Sequence, residues 1–459
     1  MKRAVFLAFL CFSIAVPLSC RAAGQAKNLR SEIDQYMQAV VKVDHFMGSI
    51  LVARNGEIIA AKGYGMANLE KHIPNTPDTE FRIGSVTKQF TAMAILMLQA
   101  RGKLSVQDNI CKYVPECPKD WQPITIYELL THTSGIPNFT SFPNYQKLQV
   151  RQTTPMQLLD DFKGKPLDFK PGARFKYSNS GYEVLGYIIQ RTSGESYRKF
   201  LKQHIFGPLG MKNSGYDSSH PTAKNHAKGY APGKNGYRPA QYVNMSVPYS
   251  AGALYSTVQN LYTWDQALET GKMLPKPLHE QMFTPHVAMD KSGKLQYGFG
   301  WMITTEFGHK EYVHNGGIQG FTSVNSWFPD QQAYVIVLNN VSAPNVGEIA
   351  RGLKAIVFGQ KYQIPSAHHA IELSPGQLQK FVGLYRLSPN FEIKVTLDGD
   401  QLETQATGQP AFPVYPESKT EFFLKVVNAQ ISFVTNADGK ITGLVLHQGG
   451  QDIPGKKIK

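Results

Sequence analysis

The chain has 459 residues, of which 42% are hydrophobic, 11% aromatic and 18% charged. That length supports one large core and a smaller second one, and the composition excludes a disordered, collagen-like or coiled-coil chain. Lys and Arg outnumber Asp and Glu to give a formal charge of +14, but they are scattered and cluster only at Lys456, Lys457 and Lys459, so a solvated basic surface is expected rather than a nucleic-acid interface.

Lys2 and Arg3 precede an apolar stretch over residues 4–18, and the small residues Cys20, Ala22 and Ala23 follow. Residues 1–23 therefore read as a secretory signal peptide cleaved after Ala22 or Ala23. The stretch is short for a membrane span and no second apolar segment follows it, so the mature chain is expected to have no transmembrane segment and to be periplasmic or secreted. Lipid attachment at Cys20 is the lesser alternative, because Pro17-Leu18-Ser19 is a poor acceptor context.

Leu29, Ile33, Tyr36, Met37 and Val40 recur at helical spacing. Two apolar runs, 48–53 and 58–63, flank Asn55-Gly56, a dipeptide that favours a two-residue β-hairpin turn. From Ser85 the pattern predicts a helix ended by Gly102. Phe90, Met93, Ala94, Met97 and Leu98 form one stripe, yet Ile95 and Leu96 are apolar too, so the helix is expected to be buried on all sides. Further helical patterns surround 128–130, 184–191, 197–205 and 261–268, and strand patterns return at 297–303, 321–328 and 334–338. Strands at both ends with helices between predict an α/β (α+β) fold, with one antiparallel sheet built from both chain ends and an inserted helical region. The composition changes near Phe358. After a polar stretch, residues 381–446 alternate apolar and polar with turn signals at Asp398-Gly399-Asp400 and Asp438-Gly439, which predicts a separate small antiparallel β domain.

Cys11 and Cys20 lie in the leader. Cys111 and Cys117 remain, with five residues between them, and in an oxidising compartment a disulfide is the leading reading, with two unconnected thiols as the alternative. No second Cys or His pair sits at zinc-ligand spacing, so neither a metal nor a cofactor is expected.

Three short segments carry possible chemistry. In Ser85-Val86-Thr87-Lys88, positions three apart share a helix face, so the Lys88 amine can reach the Ser85 hydroxyl. A buried lysine acts as a base once its pKa falls well below about 10.4. By itself the segment also fits a helix cap followed by a surface lysine. In Tyr177-Ser178-Asn179 the phenol can relay a proton and the amide can bind substrate and hold Lys88, although the tripeptide alone also reads as a turn. His314-Asn315-Gly316-Gly317 precedes a strand, and glycines there let backbone N–H groups approach a substrate, so those of Ser85 and Gly317 could form an oxyanion hole.

Taken together, the order and flanking text of these segments resemble the serine β-lactamase-like family, the group of class C β-lactamases, low-molecular-weight penicillin-binding proteins, D-aminopeptidases and esterases. The likeness runs from about Phe46 to Asn340. It includes residues 81–88, Leu129-Leu130-Thr131-His132-Thr133-Ser134-Gly135-Ile136-Pro137, Tyr177-Ser178-Asn179-Ser180-Gly181-Tyr182, Pro208-Leu209-Gly210-Met211, Ala251-Gly252-Ala253-Leu254 and Tyr297-Gly298-Phe299-Gly300-Trp301. The resemblance implies Ser85 as nucleophile, Lys88 as base, Tyr177 as proton relay, and Asn179, His314, Gly316 and Gly317 as substrate-binding residues, with His132 holding a loop. It implies an antiparallel sheet flanked by helices, an all-helical region, and a site between them. The last segment, with Phe381-Val382-Gly383-Leu384-Tyr385, is similar to the lipocalin-like domain often appended to such hydrolases. The implied layout is a signal peptide (1–23), a hydrolase domain (24–358), a linker (359–372) and a lipocalin-like β domain (373–459).

His314 takes the position where lactamases of this family carry the lysine of Lys-Thr-Gly. Histidine is mostly neutral above about pH 6.5, so a peptidase, amidase of D-amino acid type or esterase is expected ahead of a β-lactamase. The expected partners are small esters, amides, peptides or peptidoglycan fragments. The rival readings are a β-lactamase, an acyltransferase, and a non-catalytic peptidoglycan- or penicillin-binding sensor. Gly-x-Ser-x-Gly is absent, which counts against an α/β-hydrolase. His279-Glu280 begins like a zinc-protease helix, but Phe283 fills the second histidine position.

Overall fold

The computed structural model describes residues 18–459 apart from 220–223, 234–235, 343–345, 367, 425–428 and 449–450. Most of the expected signal peptide lies outside the described residues. The chain forms two compact units, one running to residue 360 and the other holding 361–459 together with 42–45. Among the described residues, no helix is long and apolar enough to cross a membrane.

In the first unit, helix α1 (Leu18–Asp44) buries Ile33, Tyr36, Met37 and Val40 along one stripe, as their spacing predicts. Strands β1 (Gly48–Arg54) and β2 (Glu57–Tyr64) follow. Asn55 and Gly56 both have positive φ, 52° and 78°, so the two-residue turn forms as the dipeptide predicts. The remaining strands of the sheet come late in the chain: β3 (Val287–Ala288), β4 (Gln296–Tyr297), β5 (Met302–Glu306), β6 (His309–Ile318), β7 (Phe321–Phe328) and β8 (Ala333–Asn339). The order is β3-β4-β5-β6-β7-β8-β1-β2 and every pairing is antiparallel. Thus β1 pairs with β8, Gly48 opposite Asn339 and Arg54 opposite Ala333. All of β8 and nearly all of β1 are buried. This burial explains their unbroken apolar text, which a sheet solvated on one face would interrupt with polar residues.

The central helix, α2 (Thr87–Ala100), is buried on nearly every side, and the surrounding helical region packs on it. It begins later than the apolar pattern predicts. Ser85 sits in a 3₁₀ turn, Gly84–Val86, that feeds the α-helix. Gly84 has φ +51°, and a Cβ there would lie 2.7 Å from the Gly317 nitrogen. The chain can tighten at this point only because residue 84 is glycine. Helix α3 (Asn179–Ser193) crosses α2, and the single helical turn Tyr249–Gly252 seats against both. Gly186 permits that seating, because a Cβ there would lie 2.0 Å from Ser250 Oγ. Two more helices, α4 (Val258–Glu269) and α5 (Val346–Val357), pack on β8.

Cys111 and Cys117 are joined by a disulfide. Closing so short a loop stabilises by roughly 2 kcal/mol on the chain-entropy model. Cys111→Ser combined with Cys117→Ser is therefore expected to lower the unfolding free energy by about that amount in a denaturant titration. A loss several times larger would mean that the bridge holds more than its own loop.

The second unit is a closed eight-stranded barrel in simple up-and-down order. Its strands are β9 (Gly383–Ser388), β10 (Phe391–Asp398), β11 (Gln401–Ala406), β12 (Ala411–Pro416), β13 (Glu421–Leu424), β14 (Ala429–Thr435), β15 (Ile441–Gln448) and β16 (Gln451–Lys457). Tyr385 opposite Lys457 closes the ring. The alternation seen in the sequence becomes an interior of Tyr385, Val395, Leu402, Phe422, Ile431 and Leu444.

Candidate functional site

Ser85, Lys88 and Asn179 converge where the start of α2 meets the start of α3. The Lys88 amine lies 3.2 Å from Ser85 Oγ, 2.8 Å from Asn179 Oδ1 and 2.9 Å from the Ala251 carbonyl. Lys88 has no exposed surface. Burial lowers its pKa from 10.5 to about 7, with Glu183 acting in the opposite sense. The Asn179 oxygen and the Ala251 carbonyl can only accept hydrogen bonds, so they take both hydrogens of a neutral amine. The nitrogen lone pair is then left facing Ser85, which is the arrangement of a base beside a hydroxyl.

Asn179 is oriented by its surroundings. Its Nδ2 donates to Thr140 Oγ1 at 3.2 Å and its backbone N–H to Asn138 Oδ1 at 3.0 Å. The segment 132–140 holds the start of α3 throughout. Ser178 N–H donates to His132 Nδ1 at 3.2 Å, Ser178 Oγ to the Ile136 carbonyl at 2.9 Å, and Ser180 Oγ to the Pro137 carbonyl at 2.7 Å. His132 thus holds the 177–179 segment and lies tilted against the Tyr177 ring, with the ring centres 4.3 Å apart. Burial pushes the imidazole well below its ordinary pKa, helped by the Lys88 charge.

The Tyr177 ring lies 4.8 Å from the Lys88 amine. Its buried hydroxyl has no partner of full hydrogen-bond geometry. Burial raises its pKa, and the neighbouring Ser85 hydroxyl lowers it to a smaller extent. The phenol is therefore protonated and available beside Ser85.

A cavity of about 250 Å³ opens over this cluster. Ser85, Asn179 and Gly317 line its reactive side, and Phe139, Tyr145, Pro248 and Ile318 supply apolar wall. The backbone contact between Gly84 and Gly317 brings the Ser85 and Gly317 peptides together at its edge.

Two residues stand elsewhere than the sequence reading expects. His314 does not line the cavity. It is buried, with Nδ1–H donating to the Asn315 carbonyl at 2.7 Å and Nε2 accepting from the Tyr297 hydroxyl at 3.0 Å. Burial first, then the Lys88 charge, lowers its pKa to about 3. It is therefore neutral at any ordinary pH and offers no cation to a substrate carboxylate. Gly316 also lies behind the cavity wall, where a Cβ would be 2.0 Å from the Ile83 carbonyl oxygen. Its contribution is close packing of β6 on the turn that carries Ser85.

Sequence reasoning assigned no role to Glu183, Thr140 or the Ser250–Ala251 peptide, although Ala251 stands in one of the family segments. Glu183 follows Asn179 by four residues on α3, and that spacing was its only signal. Among the described residues no cluster of His, Cys, Asp or Glu could hold a metal ion.

Residues 33–357 match the family model described as Beta-lactamase. The chain belongs to the β-lactamase family. Its members are serine hydrolases, and the chain is an enzyme of that type. Residues 367–457 match a second model, described as a domain of unknown function, DUF3471. Among β-lactamase-family relatives, the penicillin-binding protein PbpX of Bacillus subtilis (strain 168) is 34% identical over 67% of this chain and 74% of its own length. The octameric penicillin-binding protein homologue from Pyrococcus abyssi is 27% identical with a TM-score of 0.65, covering 95% of this chain and all of that one. The D-stereospecific amidohydrolase from Streptomyces sp. is 26% identical with a TM-score of 0.65, covering 72% of this chain and 99% of that one.

Proposed function

We propose that the protein is an exported amidohydrolase that cleaves amides or short peptides of D-amino acids through an acyl-enzyme on Ser85, with esters as alternative substrates. In this reading Ser85 Oγ attacks the substrate carbonyl carbon while Lys88 takes the hydroxyl proton. The N–H groups of Ser85 and Gly317 hold the developing oxyanion. Tyr177 then passes a proton to the departing amine, and Asn179 holds both Lys88 and the substrate amide. Water releases the acid by the reverse sequence.

The carrying observation is the buried Lys88 amine, whose two fixed acceptors leave its lone pair on Ser85. Phe139, Pro248 and Ile318 in the cavity wall offer an apolar acyl side chain a surface to pack on. The neutral, buried His314 supports an amide or ester over a β-lactam, because no cation awaits the β-lactam carboxylate. Peptidoglycan fragments offer D-amino acid amide bonds outside the cell, and the apolar leader together with the Cys111–Cys117 bridge suits that compartment.

The test is a substrate panel with purified protein, containing D- and L-phenylalanine amide, a neutral chromogenic ester and a chromogenic β-lactam. The D-amide and the ester are expected to turn over with Ser85 trapped as the acyl-enzyme in mass spectra, and the β-lactam slowly or not at all. Lowering the pH to about 5 should not improve the β-lactam relative to the ester, since His314 stays neutral there. Fast β-lactam turnover with no amide or ester cleavage would reverse the assignment.

A further inference from the structure

Beside the catalytic lysine, in the wall of the same cavity, lies a buried carboxyl group that the proposed steps do not use. Glu183 lines the floor of the cavity that Ser85 opens into, yet it has no exposed surface. Its Oε2 accepts the Ser250 N–H at 3.2 Å and lies 3.3 Å from Ser250 Oγ, while Oε1 has no partner of full hydrogen-bond geometry. Ser250 has a single hydroxyl proton, and the Tyr182 carbonyl at 2.9 Å is its shorter acceptor. If the proton goes there, the contact between Ser250 Oγ and Glu183 needs a proton from the carboxyl group. A buried carboxylate with one oxygen lacking a full hydrogen bond is also far costlier than the neutral acid. The residue next to Ser250 is Ala251, whose carbonyl holds the Lys88 amine.

We infer that Glu183 is a positioning residue that works as a neutral acid: it clasps the Ser250–Ala251 peptide, so that the Ala251 carbonyl aims the Lys88 lone pair at Ser85. This rests on the reading of Ser85 as nucleophile and Lys88 as base. Burial supports the same protonation state, raising the Glu183 pKa to about 8 against the opposing pull of Lys88 and of the Ser250 and Ala251 N–H groups. The groups that face Glu183 are Lys88, Tyr145, Tyr197, Tyr216 and Tyr249. His132, His314, Tyr177 and Tyr182 face Lys88 from the other elements around it. Burial drives the tyrosines Tyr145, Tyr177, Tyr182, Tyr197, Tyr216 and Tyr249 up and the two histidines down. Near neutral pH the titration within this cluster therefore belongs to Lys88 and Glu183. Once Glu183 ionises, its charge makes Lys88 a stronger base.

The experiment measures the rate at which an alkyl fluorophosphonate labels Ser85 across pH, in the full chain and in Glu183→Gln and Glu183→Ala. The wild-type rate is expected to rise as Lys88 loses its proton and to rise again as Glu183 ionises. Glu183→Ala is expected to label about 10²-fold more slowly, the usual cost of a misaligned base. Glu183→Gln, which keeps the acceptor for Ser250, is expected to recover most of that loss and to lack the second rise. A first rise displaced to lower pH in Glu183→Gln would overturn the inference, because it would mean that the wild-type residue is an anion holding Lys88 protonated. Labelling of Glu183→Ala at the wild-type rate would overturn it as well. Should Glu183→Ala fail to fold, the Glu183→Gln profile alone decides. Wild-type protein that is not labelled at Ser85 would instead remove the nucleophile assignment itself.

Discussion

Lys88→Ala is expected to slow acylation of Ser85 by about 10²–10⁴-fold, the contribution of one positioned base. The serine would keep its place in the 3₁₀ turn, since Gly84 and its contact with Gly317 fix that turn independently of the lysine. The measurement is single-turnover acylation by the chromogenic ester, with circular dichroism to confirm the fold. In the wild type the acylation rate should climb through about pH 7, where Lys88 loses its proton. The same lowered pKa sets a stability trend. Between about 7 and the ordinary lysine value of 10.5 the unfolded chain binds more protons at this residue than the folded one, so its contribution to stability rises with pH across that window. A Lys88→Ala protein that acylates at the wild-type rate would remove the lysine from the mechanism.

Gly316→Ala carries the second large effect. The added methyl would meet the Ile83 carbonyl oxygen at 2.0 Å and Ser323 Oγ at 2.3 Å. Ile83 precedes Gly84 and Ser85 directly, so strand β6 and the turn that carries Ser85 must separate. The Gly317 N–H would move relative to Ser85, and displacements of about 1 Å at a reacting centre cost about 10²-fold. The expected outcome is a fall in kcat of that order and a lower melting temperature. Gly317→Ala is the comparison for stability, because nothing lies within 4 Å of its Cβ. Equal melting temperatures for the two variants would show that the approach of Gly316 to Ile83 bears no strain.

Much of this site was legible in the sequence because its geometry is local. The three-residue spacing of Ser85 and Lys88 is enough to bring their side chains together, and the all-round apolar text of α2 already indicates a desolvated amine. The Asn55-Gly56 turn and the alternating strands of the second unit are short-range signals of the same kind. Glu183 was not legible in that way. Its meaning depends on a helical turn 67 residues away, brought into contact because Gly186 lacks a side chain. His314 misled for a related reason. Its place in the motif text suggests a cavity residue, while its environment is decided by Tyr297 and by the inward face of β6. The closure of the barrel joins Tyr385 to Lys457, a pairing that no local pattern announces.

The placement of β1 between β2 and β8 has a consequence for the order of events when the chain folds. The N-terminal hairpin can form early, but one flank of β1 stays without a neighbour until residues 333–339 arrive. That flank is among the most apolar text in the chain, and an open strand edge of this kind invites pairing with other molecules. The contact Gly48 to Asn339 spans most of the first unit, so its loop-closure entropy is paid late and slow folding is expected. A chain emerging from a ribosome or a translocation pore would therefore expose β1 for the longest time of any strand, and the yield of active enzyme should depend on how well that exposed edge is shielded before the last strand arrives.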